Sequence, residues 1–397
     1  MVLHISWERS HEVGHNGAAG PGLCQELKPD QLSACNGRPV DCERWTMSRT
    51  DGAAGARARD GAGARPTLEA VAERAGVGRG TVSRVINGSP RVSERAKAAV
   101  EQAIAELGYV PNRAARALVT SRTDSIAVVV PETETRLFSE PYFSEIIRGA
   151  VAELSDADKQ ALLILVRTER ERTRLADYLA AQRVDGVLLV SVHGHDPLPG
   201  MLERLGLPTV LGGRRNDAET FSYVHADNVG GARAAVRHLA GRGRRVIATI
   251  TGDLDQEGAR ARLDGWRAAL AEAGLDADDS LVGVADFSER QGEAAMRELL
   301  ARRPELDAVF VASDVMAAAA IRVLRAEGLR VPEDVAVVGF DDSFIARHTE
   351  PPLTSVRQPT EEMGRAMARI LLSQLTDPER VHEQVVLGTE LVVRGSA

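Results

Sequence analysis

The 397 residues carry 49 Lys/Arg against 57 Asp/Glu, a net charge of −8, and 44% are hydrophobic. A chain of this length divides into more than one core. No run approaches the 18 apolar residues of a membrane-spanning helix and no charged-then-apolar leader opens the sequence, so no membrane partner is expected and the expected compartment is the cytoplasm. Cys24, Cys35 and Cys42 are the only cysteines; their spacings match neither a zinc nor a redox pair, and neither a metal nor another cofactor is expected. The charge is uneven: residues 66–122 hold nine Lys/Arg and five Asp/Glu, a module at +4 on a remainder at −12. That asymmetry points to a polyanionic partner for the module alone.

Residues 1–65 show neither helical nor strand periodicity, and from Met47 the run "MSRTDGAAGARARDGAGARP" is low in complexity. It reads as a disordered, solvated extension, with Met47 an internal candidate start; a basic arm through Arg57, Arg59 and Arg65 is the alternative. From Thr67 the pattern turns helical, with Leu68, Val71, Ala72 and Ala75 at i, i+3, i+4, i+7 behind a threonine N-cap, and Gly76 at the left-handed stop. A second helix over Arg79 to Ile86 follows a short turn. Ser93 caps a third, with Ala96, Val100, Ala103, Ile104 and Leu107 on its apolar face and Gly108 at its end. The spacing predicts a helix-turn-helix domain over 66–111.

Its centre, "GVGRGTVSRVINGSPRV", raises a choice between a nucleotide phosphate and the phosphates of DNA. A dinucleotide loop needs G-x-G-x-x-G directly after a strand, whereas Gly76, Gly78 and Gly80 give G-x-G-x-G after a helix. The DNA reading has a mechanism: Val82, Val85 and Ile86 face inward while Arg79, Gly80, Thr81, Ser83 and Arg84 face out, placing two guanidinium forks for guanine O6 and N7. Plain solvation of the two arginines is the bland alternative. Residues 112–122 come next, capable of only about two helical turns, too few to be stable alone.

After Ser125, buried-strand runs ("SIAVVV", "ALLILV", "DGVLLVSV", "LPTVLG", then "RRVIATITG", "LVGVADF", "LDAVFVAS", "DVAVVGFDD") alternate with amphipathic segments. Continuous apolar strands of this kind belong to parallel sheets covered on both faces. Two such series predict two doubly wound lobes over 123–397, lobe one near 123–225 and 358–385, lobe two near 226–357 and 386–397, with a ligand cleft between them.

The run "TLEAVAERAGVGRGTVSRVINGSPRVSERAKAAVEQAIAELGYVPNRAARAL" resembles the headpiece of the lactose/galactose repressor family, and the resemblance continues through "VGFDD" and "PPLTSVRQ" to Ala397. It implies an all-α headpiece on a core like the periplasmic sugar-binding proteins. It further implies that Thr67, Arg79, Gly80, Ser83, Arg84, Asn87, Arg91, Ser93, Tyr109 and Asn112 face double-stranded operator DNA. The hinge helix would run from Arg113 to Val119, with Leu118 wedged between central base pairs in the minor groove. Gly78 departs from the serine common at the start of the recognition helix, and a cap or phosphate bond is lost with it.

For the effector, "RLDGW" nominates Arg262, whose guanidinium suits vicinal sugar hydroxyls. Asp341 and Asp314 at strand ends would accept hydroxyl protons, Phe287 would stack on a sugar ring, and Arg167, Tyr142 and Phe143 would come from the opposite lobe. Each has a bland reading: Arg262 paired with Asp264 or Glu257, Phe287 in the core, Asp341 or Asp342 as caps. Gly213 stands where some members carry an aspartate, which brings Arg214 forward. His193 and His195 read as loop histidines rather than metal ligands.

The resulting expectation is a transcription regulator, a homodimeric repressor on an inverted-repeat operator, controlled by a small ligand that is a sugar or, alternatively, a purine. A tetramer is not expected, since "ELVVRGSA" carries no leucine heptads. A solute-binding protein of the same core fold is the rival, disfavoured by the basic headpiece. An enzyme is disfavoured because neither G-x-x-x-x-G-K-[ST] nor G-x-S-x-G occurs.

Overall fold

The computed structural model describes residues 2–5, 66–86, 89, 91–110, 122–216, 218–377 and 381–397. The chain divides at Asn112/Arg113 into two units, Arg113–Ala397 together with Met1–Trp7, and Glu8–Asn112.

In the smaller unit three helices enclose one core. Helix α1 (Leu68–Ala75) starts where the Ala70 N–H donates to Thr67 Oγ1 at 3.2 Å, and stops at Gly76, whose φ of 66° an L side chain would resist. The turn lets the Val77 N–H return to the Ala72 carbonyl, and α2 (Arg79–Ile86) begins on the Gly78 carbonyl. Helix α3 (Glu94–Leu107) is capped by Ser93 and closed by Gly108. Val71, Val82 and Val100 are fully buried at the centre, with Leu68, Val77, Val85, Ile86, Ile104 and Leu107 around them.

The larger unit holds two sheets. In lobe one, β2 (Ser125–Val130), β3 (Gln160–Leu165), β4 (Gly186–Val190), β5 (Thr209–Gly212), β6 (Ser222–Ala226) and β12 (Gln384–Leu387) pair in parallel in the order β3-β2-β4-β5-β6-β12. Lobe two has the parallel order β11-β10-β9-β7-β8 from Thr354–Arg357, Ala336–Asp341, Ala308–Val311, Ile247–Ile250 and Val282–Gly283, with antiparallel β13 (Glu390–Val392) on β11. Helices on both faces explain the unbroken apolar strands: β4 is buried at every position. The chain passes between lobes after β6, β11 and β12, and the passages bind one another, Asp227 N–H to the Leu387 carbonyl at 2.8 Å. The last passage falls at Gly388, slightly beyond the expected 385/386, because β12 runs to Leu387.

One strand lies in the segment read as lacking any element. Residues Val2–Ile5 form β1, antiparallel on the outer edge of β3 with Val2 opposite Ile164 and Ile5 opposite Ala161. A short apolar run satisfies its backbone on an edge that is otherwise open. The remainder of the 1–65 extension lies outside the described residues, as do Asn87 and the hinge residues Asn112, Arg113 and Leu118.

Candidate functional site

In the headpiece the surface of α2 carries Arg79, Gly80 and Arg84, all exposed, with Thr81 and Ser83 half-buried beside them. Arg79 makes a 3.2 Å contact with Glu69, both well exposed, which is weak enough for a phosphate or base to replace. Arg91 is exposed on the segment before α3. Thr67 and Ser93 are exposed and already serve as caps, so each hydroxyl holds its helix N-terminus, where two sets of N–H groups favour an anion. Tyr109, also expected to face DNA, packs its ring in the headpiece core, and its N–H returns to the Ile104 carbonyl.

In the core, a cavity of about 810 Å³ including its mouth opens between the lobes. Lobe two supplies Arg262, Phe287 and Asp341, and lobe one supplies Tyr142 and Phe143, so five of the seven expected residues converge. Arg262 lies on the helix Glu257–Ala273 but turns inward, away from Asp264. Its Nε donates to Asn228 Oδ1 at 2.9 Å and its Nη1 to the Ala312 carbonyl at 2.5 Å, and its Cζ lies 3.7 Å from the Phe340 ring centre. Burial lowers its pKa, yet a guanidinium remains charged. Asp341 Oδ1 stands 3.8 Å from it and accepts from Gln358 Nε2 at 2.7 Å. Burial outweighs Arg262 and pushes the Asp341 carboxyl up to about 7.

Phe287 (φ 70°) and Asp341 (φ 109°) both occupy backbone conformations that cost an L residue energy, and both face the cavity. The Phe287 ring reaches over Gly252; a Cβ there would lie 1.9 Å from its Cζ. Across the cleft, Arg136 sits on the short helix Glu134–Ser139, with Nε to Glu140 at 2.7 Å and Nη1 to Glu132 at 2.8 Å. Its guanidinium lies 5.2 Å from the Phe287 ring centre. Burial pushes Glu140 up to about 7 and the Tyr142 hydroxyl up to about 12. Arg214 does line the cavity, bound to Glu257 at 3.0 Å.

Two expected effector residues do not meet the cavity. Asp314 is wholly buried behind it: the Ser343 N–H and Oγ donate to Oδ2 at 2.7 and 3.0 Å, and Ser355 Oγ to Oδ1 at 2.6 Å. It ties the turn after β10 to β11, and burial holds its pKa well above the ordinary value. Arg167 follows β3, which the sheet order sets away from the cleft-facing ends of β2, β4, β5 and β6; its side chain pairs with Glu134 at 2.9 Å, half in solvent. Sequence reasoning passed over Arg136, Glu140, Asn228, Gln256 and Gln358. The nearest signal was "TRLFSEPYF", which places Arg136 and Glu140 just upstream of Tyr142. Among the described residues no cluster of three or more His, Cys, Asp or Glu is disposed to hold a metal ion, and no helix is long and apolar enough to cross a membrane.

Residues 67–112 match the model of bacterial regulatory proteins of the lacI family, and 236–397 match that of the periplasmic binding protein-like domain. The HTH-type transcriptional regulator CelR of Thermobifida fusca is 55% identical over 334 residues, 84% of this chain and 98% of the relative. The ribose operon repressor of Escherichia coli K12 is 36% identical over 335 residues, 83% of this chain and 99% of the relative. Among solved structures, the CelR–cellobiose complex matches with TM-score 0.68 and 53% identity over 84% of this chain and all of that one. The lac repressor dimer bound to operator and the anti-inducer ONPF matches with TM-score 0.74 and 28% identity over 84% of this chain and 99% of that one. With the capped helix-turn-helix, the two parallel-sheet lobes and relatives matched over nearly their whole length, the chain belongs to the lacI family of DNA-binding transcription regulators.

Proposed function

We propose that the chain is a homodimeric repressor that binds an inverted-repeat operator through α2 and the hinge residues Asn112, Arg113 and Leu118, and that a sugar in the interlobe cavity controls it. The single observation that carries the ligand half is the convergence of Arg262, Asp341 and Phe287 from one lobe with Arg136, Glu140 and Tyr142 from the other. Fixed guanidinium forks and carboxyl groups suit vicinal hydroxyls, and the Phe287 ring at the cavity suits the apolar face of a pyranose. Charges of both signs occur in pairs, which favours a neutral polyol over an anion. Cellobiose, the sugar in the structure of the 53%-identical relative, is the first candidate. A regulator of this kind works where the DNA lies, in the cytoplasm, and the reading assigns it binding and no turnover.

Calorimetry of the full chain against cellobiose, other mono- and disaccharides and nucleobases tests this. One site per protomer for a sugar is expected. Saturable binding of a nucleobase with none of the sugars would replace the sugar reading by a purine one.

A further inference from the structure

We propose that Glu132, Ser191, His193 and Gln256 form a proton-sensitive latch across the two lobes, and that Arg136 ties this latch to the ligand cavity. Glu132 follows β2 and is buried in lobe one. One of its oxygens, Oε1, meets four groups: it accepts from Ser191 Oγ at 2.5 Å, Arg136 Nη1 at 2.8 Å and Gln256 Nε2 at 3.2 Å, and His193 Nε2 lies 2.9 Å away. Three of these belong to lobe one. Gln256, which also donates to Ser191 Oγ at 3.0 Å, belongs to lobe two, so the carboxylate draws the lobes together.

His193 makes the seam titratable. Its Nε2 faces Glu132, and its Nδ1 faces Asp255 Oδ2 at 3.3 Å and Asp253 Oδ2 at 3.8 Å, both on the lobe-two loop after β7. Only the imidazolium, with a proton on each nitrogen, satisfies carboxylates on both sides. The neutral ring leaves a lone pair facing one of them, relieved at Nε2 only by Gln256 Nε2, 3.1 Å away. The other charged groups nearby are Arg136, which opposes protonation, and His195, itself 3.7 Å from Asp255. Burial disfavours the cation, but the bond to Glu132 and the surrounding carboxylates outweigh it and raise the His193 pKa above its ordinary value. The sign follows: the imidazolium contribution is present below about pH 6.5 and is lost as pH rises through the raised value. The Gly194 N–H, bound to the Asp255 carbonyl at 2.9 Å, loosens with it.

Arg136 gives the link. The guanidinium that holds Glu132 also lies against Phe287, so a sugar ring that takes the Phe287 face displaces Arg136 from it and disturbs the carboxylate beneath the latch. This link rests on the cavity being the effector site; the latch itself does not.

The test uses the full chain without any sugar, so a failure to bind cellobiose does not touch it. Cys24, Cys35 and Cys42 are replaced by Ser, and spin labels are placed at exposed Glu169 of lobe one and Asp264 of lobe two. Labelled chain is diluted into excess unlabelled chain, and the distance distribution is read by double electron–electron resonance. A short, single distance is expected near about pH 6, with a longer component near about pH 9. In an Asp341→Asn/Glu140→Gln background, which removes the two cavity carboxyls that titrate near 7, His193→Gln, which keeps a donor toward Glu132 but does not titrate, should hold one distribution at both pH values, and Glu132→Gln should show the longer component at both. A distribution that does not move with pH when His193 is present in that background, or a pH response that survives there in His193→Gln, overturns the latch. At the lower pH Arg136→Gln should admit the longer component; an unchanged distribution there overturns the link to the cavity.

Discussion

Truncating Arg262 to alanine should weaken effector binding by about ten- to a hundredfold. Asn228 and the Ala312 carbonyl use two of the five guanidinium N–H groups, and the rest remain for a ligand beside Asp341. Losing charge-assisted bonds of this type costs about 1.5–3 kcal/mol, which gives that factor in Kd. The structure adds a consequence. The buried Ala312 carbonyl loses its partner, which costs about 1–3 kcal/mol of stability, and Asp341 loses its nearest cation. Melting and affinity should therefore fall together. Arg262→Lys separates them: it retains a charge near Asp341 but cannot fork between Asn228 and Ala312. Calorimetry below the lowered melting temperature gives Kd for both variants, and a gel shift checks that operator binding persists, since the headpiece has its own core. A folded Arg262→Ala protein with wild-type Kd would refute the placement of the ligand.

Arg79→Ala and Arg84→Ala should each lose about 1–3 kcal/mol of discrimination at one base pair per half-site, whereas Lys97→Ala should act evenly on all sequences; competition with single-base operator variants distinguishes the two patterns. Because three donors meet the Asp314 oxygens and burial raises its pKa, Asp314→Asn, which keeps one acceptor oxygen, should cost less than Asp314→Ala, for which about 1–3 kcal/mol is expected for each group left unpaired, with ligand affinity little changed in the Asn variant. Asp341 and Glu140, both raised to about 7, hold protons in the folded state that the unfolded chain releases near 3.8 and 4.5. Their contribution to stability is therefore full below about pH 4 and falls as pH rises to about 7, and Asp341→Asn should flatten part of that decline in urea titrations of the ligand-free protein.

The headpiece was legible because its signals are local. Thr67, Gly76, Ser93 and Gly108 are where the helices begin and end, and a cap needs only its own few neighbours. The parallel sheets were legible from continuous apolar strands. Elements with weak patterns were passed over: the helix Asn228–Gly241, diluted by glycine and alanine, and β11, only four residues long. In the cleft, residues at strand ends led to Asp341, which lines the cavity, and to Asp314 and Arg167, which do not. Asp314 follows Ser313, whose cap starts a helix that carries its carboxylate inward, and Arg167 follows a strand whose rank in the sheet no sequence pattern reveals. Arg136 was hidden for a related reason: its role depends on Phe287, 151 positions away in the chain, held over Gly252. Tyr109 shows a packing role that the pattern did not reveal, its ring helping to close the headpiece core.

The central claim is that a ligand in the interlobe cavity shifts the affinity of the headpiece for a specific DNA site. The direct measurement is fluorescence anisotropy of an inverted-repeat operator titrated with the full chain, at fixed salt, with and without saturating cellobiose. Linkage between two sites is commonly about 1–3 kcal/mol, so the operator Kd should move by about five- to 150-fold, while binding to scrambled DNA should not. The same operator Kd with and without a sugar that calorimetry shows to be bound would contradict the account.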